Sequence, residues 1–235
     1  PPSQTPEAKV ALAVTDTPMP WLVKLPANFS GSRMNRELAV LALARIARND
    51  PRMAAEYLGR IGAQLQPAER SWGWSQIGWQ AAQRHMSDAL DWYRKAGDAP
   101  MSDEVAQWKV RAALRAQDWG AVRTTIEKMP PALAAQGPWV YWLGRAYRAG
   151  GRVEEANALF ARISGQPNFY GNLADDELGR PVVAPPKAAA LSREELNRMA
   201  ANPGVQRSLA LFRVNLRTEG VREWNWALRG MSDRE

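Results

Sequence analysis

Three groups of residues in this 235-residue sequence have types and spacings that could do chemistry. Adjacent carboxylates come first: Glu154-Glu155, Asp175-Asp176-Glu177 and Glu194-Glu195. Paired carboxylates can divide acid and base roles in cleaving a glycosidic or ester bond. Here each pair falls in the first turn of an expected helix or beside an expected linker. Negative charge at a helix start complements the dipole, so these carboxylates read as structural. Next is the single histidine, His85, between Arg84 and Met86. A Ser-His-Asp or Cys-His centre has to use it, and a histidine cluster for a metal is impossible. It sits at an expected hairpin turn, where a solvated side chain is the expectation. Last are eleven tryptophans, which could stack on sugars or bases. Most fall at the core spacing of a repeat, but Trp224 and Trp226 do not. Two residues apart on a helix, they cannot share a face, so one of them must face something outside its own helix. The glycines of the 144–151 stretch follow an expected helix and not a strand, so no dinucleotide fingerprint applies. We therefore assign no catalytic residue, no cofactor-binding residue and no metal ligand.

Composition frames these groups. Apolar residues make up 46% of the chain, enough for a core, and no run approaches the ~20 residues that span a bilayer. Cysteine is absent, which excludes disulfides, thiol nucleophiles and thiolate metal sites and fits an oxidising compartment. The formal charge of +7 favours an anionic partner. Yet Arg and Lys are scattered along helices, with Arg94-Lys95 the longest cationic pair, so we expect a solvated basic surface and no nucleic-acid footprint. The chain opens Pro1-Pro2-Ser3-Gln4 without a starting Met, a basic stretch or an apolar run. It reads as a processed product or an excised fragment, without a signal peptide.

The elements that position these residues are helical. Residues 1–35 carry Pro6, Pro18, Pro20 and Pro26 and leave room for little more than a short helix near Glu7–Val14. Helical periodicity then takes over. Leu38 to Ile46 form one helix, ended by Asn49-Asp50-Pro51. The next carries Met53, Tyr57, Leu58 and Ile61 on one face. Trp74, Trp108 and Trp142 recur at 34 residues, the period of tetratricopeptide-type hairpins. Leu143-Gly144, Tyr147, Ala156 and Phe160 match that repeat's Leu-Gly, Tyr, Ala and Phe spacing, with Arg148 to Arg152 as the turn. Weaker units pair Trp108–Arg115 with a helix from Asp118 carrying Val122 and Ile126, and Trp74–Ala81 with Asp88–Lys95. Ala55 lies 34 residues before Ala89 and suggests a fourth unit. Each hairpin can bury its apolar face only against its neighbours, which predicts an all-α, right-handed superhelical solenoid over 36–180.

Beyond residue 164 the pattern changes. Gln166 to Gly171 open a short helix that ends at Leu178-Gly179. Pro181–Ala190 reads as an extended linker, closed at residue 191. Ser192 and Glu195 form a capping box for a helix that Asn202-Pro203 breaks. A further helix carries Val205, Leu209, Phe212, Val214 and Leu216. Gly220 is expected to interrupt it before a last helix over Val221–Leu228. Ser232-Asp233-Arg234-Glu235 reads as another capping box, a helix start without its helix. From it we expect the natural protein to continue past Glu235, making 192–235 the start of a truncated helical linker domain.

Several stretches resemble soluble lytic murein transglycosylases: Leu41 to Pro51, Trp72-Gly73-Trp74, Gln107 to Trp119, Pro167 to Ala174, Leu178-Gly179, and Leu216 to Arg229. The specific parts are Phe169-Tyr170-Gly171 and Glu223-Trp224-Asn225-Trp226, and the resemblance covers roughly residues 38–235. It implies a U-shaped superhelix, a linker domain closing it into a ring, and a lysozyme-like catalytic domain whose glutamate lies in a Glu-Ser motif. No Glu-Ser dipeptide occurs here, so catalysis would belong to a missing C-terminal domain. That reaction would be non-hydrolytic cleavage of the bond between N-acetylmuramic acid and N-acetylglucosamine to a 1,6-anhydro product, without metal or cofactor. The resemblance further implies a periplasmic location, weak electrostatic contact with peptidoglycan, and Phe169, Tyr170, Gly171, Trp224 and Trp226 as domain-interface candidates. A monomer is expected. The other reading of the repeat is a free-standing tetratricopeptide-like scaffold that binds a peptide or helix in its concave face.

Overall fold

Helices start where the sequence places a short polar acceptor. The side chains of Ser32, Asp50, Ser102, Asp118, Asn168, Ser192 and Asn202 each accept a hydrogen bond from a backbone N–H two or three residues on. Each satisfies a donor that has no partner inside its own helix. Prolines at 51, 67, 131 and 203 occupy first-turn positions, where a missing N–H costs nothing. The computed structural model describes residues 8–181, 184, 187 and 189–232. Among these it is all-α, with fifteen α-helices, one 3₁₀ turn at Gly62–Gln64 and no strand.

The chain forms two compact units, Pro1–Val183 and Ala184–Glu235. In the first, α1 (Ala8–Asp16) and α2 (Pro18–Val23) pack on or beside α3 (Arg33–Ala47). The Pro-rich lead-in thus holds two helices where one was expected. Pro18 and Pro20 both lie in the first turn of α2, where proline is tolerated. Burial of Val14, Leu22 and Phe29 anchors the segment. Four hairpins follow: α3 with α4 (Pro51–Ile61), α5 (Pro67–Gln83) with α6 (Ala89–Ala96), α7 (Asp103–Arg115) with α8 (Trp119–Glu127), and α10 (Gly137–Ala149) with α11 (Val153–Ile163). The four-residue α9 (Pro131–Ala134) sits between the last two. First helices α3, α5 and α7 pack in a row, α10 packs on α8, and α12 (Phe169–Glu177) packs on α10 and α11.

A small and a large side chain, four residues apart on each second helix, repeat through the stack. The pairs are Ala54/Leu58, Ala89/Tyr93, Val122/Ile126 and Ala156/Phe160, and all eight are at most 1% exposed. Burying the larger member contributes about 2–3 kcal/mol per hairpin relative to leaving it in water. Ala54, and not Ala55, is the counterpart of Ala89, because the first hairpin is one residue longer. Met53, expected on the buried face, is exposed, and Pro51, Ala54 and Leu58 form that face. Trp74, Trp108 and Trp142 lie on α5, α7 and α10, the first helices of successive hairpins. Tyr93 ties one hairpin to the next, its hydroxyl donating to the Val105 carbonyl at 3.0 Å. Burial pushes that phenol's pKa up.

The second unit contains α13 (Arg193–Ala200), α14 (Pro203–Arg213) and α15 (Arg217–Ala227). The Ser192 capping box is present, with Glu195 accepting from the Ser192 N–H at 2.7 Å. Gly220 does not interrupt a helix. The break falls at Val214–Leu216, where Asn215 takes a positive φ of 60°, and α15 runs through Gly220 unbroken. The glycine is there for contact: a Cβ would fall 2.7 Å from the Phe212 ring. Asp233, Arg234 and Glu235 of the final expected capping box lie outside the described residues, as do several residues of the Pro181–Ala190 stretch.

Candidate functional site

Asn168 sets the first candidate surface. Its side chain accepts from the Gly171 N–H at 2.9 Å and so starts α12 with Phe169 and Tyr170 in the first turn. Tyr170 lies 5.7 Å from the Tyr141 ring of α10 and 5.1 Å, edge-on, from Phe169. Phe169 is 68% exposed. Gly171 is buried, and a Cβ there would fall 2.2 Å from the Gln166 carbonyl oxygen, so only glycine lets the preceding turn fold over the helix start. At the other end, the Glu177 carboxylate pairs with Arg145 at 3.0 Å and with Arg148. It also accepts from the Tyr141 hydroxyl at 3.2 Å. Burial pushes the Tyr141 phenol up, opposed by the Arg145 hydrogen bond.

These ties account for the acidic runs. Asp175 is buried and accepts from the Ser164 hydroxyl and the Gly165 N–H. Glu154 and Glu155 lie in the first turn of α11, with Glu155 paired to Arg152 at 2.9 Å. Glu194 and Glu195 open α13. Glu154-Glu155 and the 175–177 run are thus held by different partners, and His85, exposed at φ 57°, has Trp108 as its ring neighbour at 6.5 Å.

Among the described residues, four tryptophans of the first unit have one of the chain's own cations over the ring. Lys95 lies 4.6 Å from Trp74, and Arg111 sits between Trp108 (4.9 Å) and Trp139 (5.2 Å). Arg145 lies 5.9 Å from Trp119. Trp72 and Trp79 differ. Both point into a groove of about 450 Å³ between α3 and α5, with Arg45, Arg48, Gln76 and Gln80. Sequence reasoning passed over them. The argument applied to Trp224 and Trp226 would have found Trp72: with Trp74 in the core, a tryptophan two residues earlier on the same helix must point elsewhere. A smaller cavity of about 310 Å³ beside the end of α8 holds Lys109, whose pKa burial pushes down, and the buried Thr125 hydroxyl, which has no partner among the described residues.

In the second unit, α15 packs on α14 through Gly220 against Phe212 and Ala227 against Gly204. That contact uses one side of α15. Trp224 and Trp226 remain 38% and 62% exposed, and Arg229 lies 4.5 Å over the Trp226 ring. The structure therefore leaves both indoles accessible, where one was expected to be packed.

Neither a protein-family model nor a curated protein sequence matches the chain. Among solved structures it is similar to the lytic transglycosylase Slt of Pseudomonas aeruginosa, determined as an inactive mutant. The TM-score is 0.67 at 24% identity, over 95% of this chain and 37% of that one. It is also similar to the 70 kDa soluble lytic transglycosylase of Escherichia coli, with a TM-score of 0.61 at 20% identity, over 97% of this chain and 37% of that one. The chain thus spans little more than a third of either protein. What they share at this identity is the fold, an all-α superhelical stack of hairpins like that of the two lytic transglycosylases.

Proposed function

We propose that this chain is the non-catalytic scaffold section of a peptidoglycan lytic transglycosylase. The observation that carries this reading is the fold likeness over 95% of the chain. Bond cleavage between N-acetylmuramic acid and N-acetylglucosamine, with a 1,6-anhydro product, would then reside in a catalytic domain outside this sequence. Two structural facts support the division of labour. The carboxylate runs are committed to helix starts and interhelical ties. The exposed aromatics Phe169, Trp224 and Trp226 offer apolar faces that a further domain could cover, with Tyr170 and Gly171 shaping the first of them. A periplasmic location and a monomeric state go with the same reading. The net charge of +7 suits weak contact with an anionic wall polymer.

The test is co-sedimentation of the purified chain with sacculi across a salt series. Binding is expected at low ionic strength and should fall steeply as screening increases. No anhydro-muropeptides should be released. Release of such products would overturn the non-catalytic assignment. Absence of binding at low salt would favour a protein-interaction scaffold instead.

A further inference from the structure

The α3–α5 groove combines features that elsewhere in the first unit occur separately. Trp72 and Trp79 are seven residues apart on α5, so they lie on one stripe about 10.5 Å apart along the axis. Trp72 is 38% exposed, and its indole face carries no cation of the chain's own among the described residues. The Trp79 indole nitrogen is buried without a partner among those residues, a donor left over beside the groove. Between and beside the indoles lie two amides, Gln76 and Gln80. The opposite wall is α3, with Arg45 and, at the helix end, Arg48, and the groove lining contains no acidic residue. Arg45 donates through Nε to the Thr15 carbonyl at 3.0 Å. Neither arginine has a carboxylate partner among the described residues, whereas Arg36 on the same helix pairs with Glu69 at 3.0 Å.

We propose that this groove binds a carboxylate-bearing glycan strand, with sugar rings stacked on Trp72 and Trp79 and carboxylates held by Arg45 and Arg48. The inference rests on the scaffold reading above and deepens it by assigning a site. Indole faces take the C–H faces of pyranoses, amides take their hydroxyls, and arginine forks take carboxylates. In a β1,4-linked strand each ring is turned over relative to the last. Rings that present the same face are therefore two sugars apart, a separation of the same order as that of the two indoles. The amides and the wide spacing of the stacking positions favour a glycan over single-stranded nucleic acid, whose successive bases stack more closely.

The experiment is titration calorimetry on the full chain with three probes. These are peptide-free strands of alternating N-acetylglucosamine and N-acetylmuramic acid, chitohexaose as a neutral counterpart, and a single-stranded oligodeoxynucleotide. Trp72→Ala and Arg48→Gln are the variants. Both side chains are exposed and Trp72 lies outside the packed core, so the fold should survive; Trp226→Ala in the second unit is the control. The muramic strands should bind, about tenfold weaker with Trp72→Ala, as for loss of one stacking contact. Arg48→Gln should weaken them less and flatten their salt dependence. Chitohexaose should bind more weakly, with sensitivity to Trp72→Ala and none to Arg48→Gln. Equal affinity of all variants for the strands would overturn the groove, and so would tighter, equally sensitive binding of the oligonucleotide. Sacculus binding that persists unchanged in both variants would sink the groove and leave the scaffold reading standing. Binding of the strands in the groove without any retention on sacculi would do the reverse.

Discussion

Asp118 shows how much one side chain can hold together. Its carboxylate accepts from the Ala121 N–H at 2.8 Å, which starts α8, and from Arg94 of α6 at 2.7 Å, which ties one hairpin to the next. The Ala121 bond first and Arg94 second hold the Asp118 carboxyl below the usual aspartate range. Asp118→Ala should destabilise the chain by about 1–2 kcal/mol, in line with loss of a helix cap. The sign of the pH dependence follows from the lowered folded-state pKa. The carboxylate's contribution is complete above the unfolded value of about 4 and disappears as pH falls through the folded one. Melting wild type and variant at pH 7 and at pH 3 checks this: the gap in Tm should shrink in acid. A gap of the same size at both would mean that the ionised cap is not what stabilises α8.

Helices approach each other closely only where one of them gives up its side chain. Gly144 on α10 faces Phe160 on α11, and a Cβ at Gly144 would sit 2.6 Å from that ring. The ring is fully buried and lies 5.7 Å from Tyr141, so it has no room to retreat. Two effects compete in Gly144→Ala. Helix propensity favours alanine by about 1 kcal/mol, while overpacking costs about 1–3 kcal/mol. The clash wins, and net destabilisation of about 1 kcal/mol is expected from urea unfolding. Gly59 on α4 is the counter-case, with nothing within 4 Å of an added Cβ. There only the propensity term acts, and Gly59→Ala should stabilise by up to about 1 kcal/mol. The same sign for both substitutions would refute the packing argument.

Across the whole molecule, burial is distributed unequally between the two units. The hairpins carry nearly all of the buried apolar side chains. Helix α13 buries none, and α14 and α15 bury Gly204, Val205, Ser208 and Gly220. Leu196, Val214, Leu216, Val221 and both tryptophans of α15 are exposed. Local opening free energy follows the apolar contact that opening must break. Amides of α15 should therefore exchange at least about tenfold faster than those of α10. Equal protection would mean that the second unit is as firmly packed as the hairpins.

Periodicity made the hairpins legible from sequence. A 34-residue recurrence of tryptophan, with small and large residues at helical spacing, can be satisfied only by repeated helical pairs, because each pair needs its neighbour to cover its apolar side. The cap at Ser192, and the helix starts near Asp118 and within Gln166–Gly171, were legible for a local reason: a short polar side chain reaches only the next few N–H groups. Gly220 was misread because a glycine in a helix can mark either a break or a close approach, and only the position of Phe212 decides between them. The two helices of the Pro-rich lead-in depend likewise on α3, which supplies the surface that Val14 and Leu22 need. The α3–α5 groove was hidden most deeply. Trp72 and Arg48 stand 24 positions apart, and nothing local connects them. The packing of two first helices side by side brings indole, amide and guanidinium to one surface, and that juxtaposition exists only in the tertiary structure.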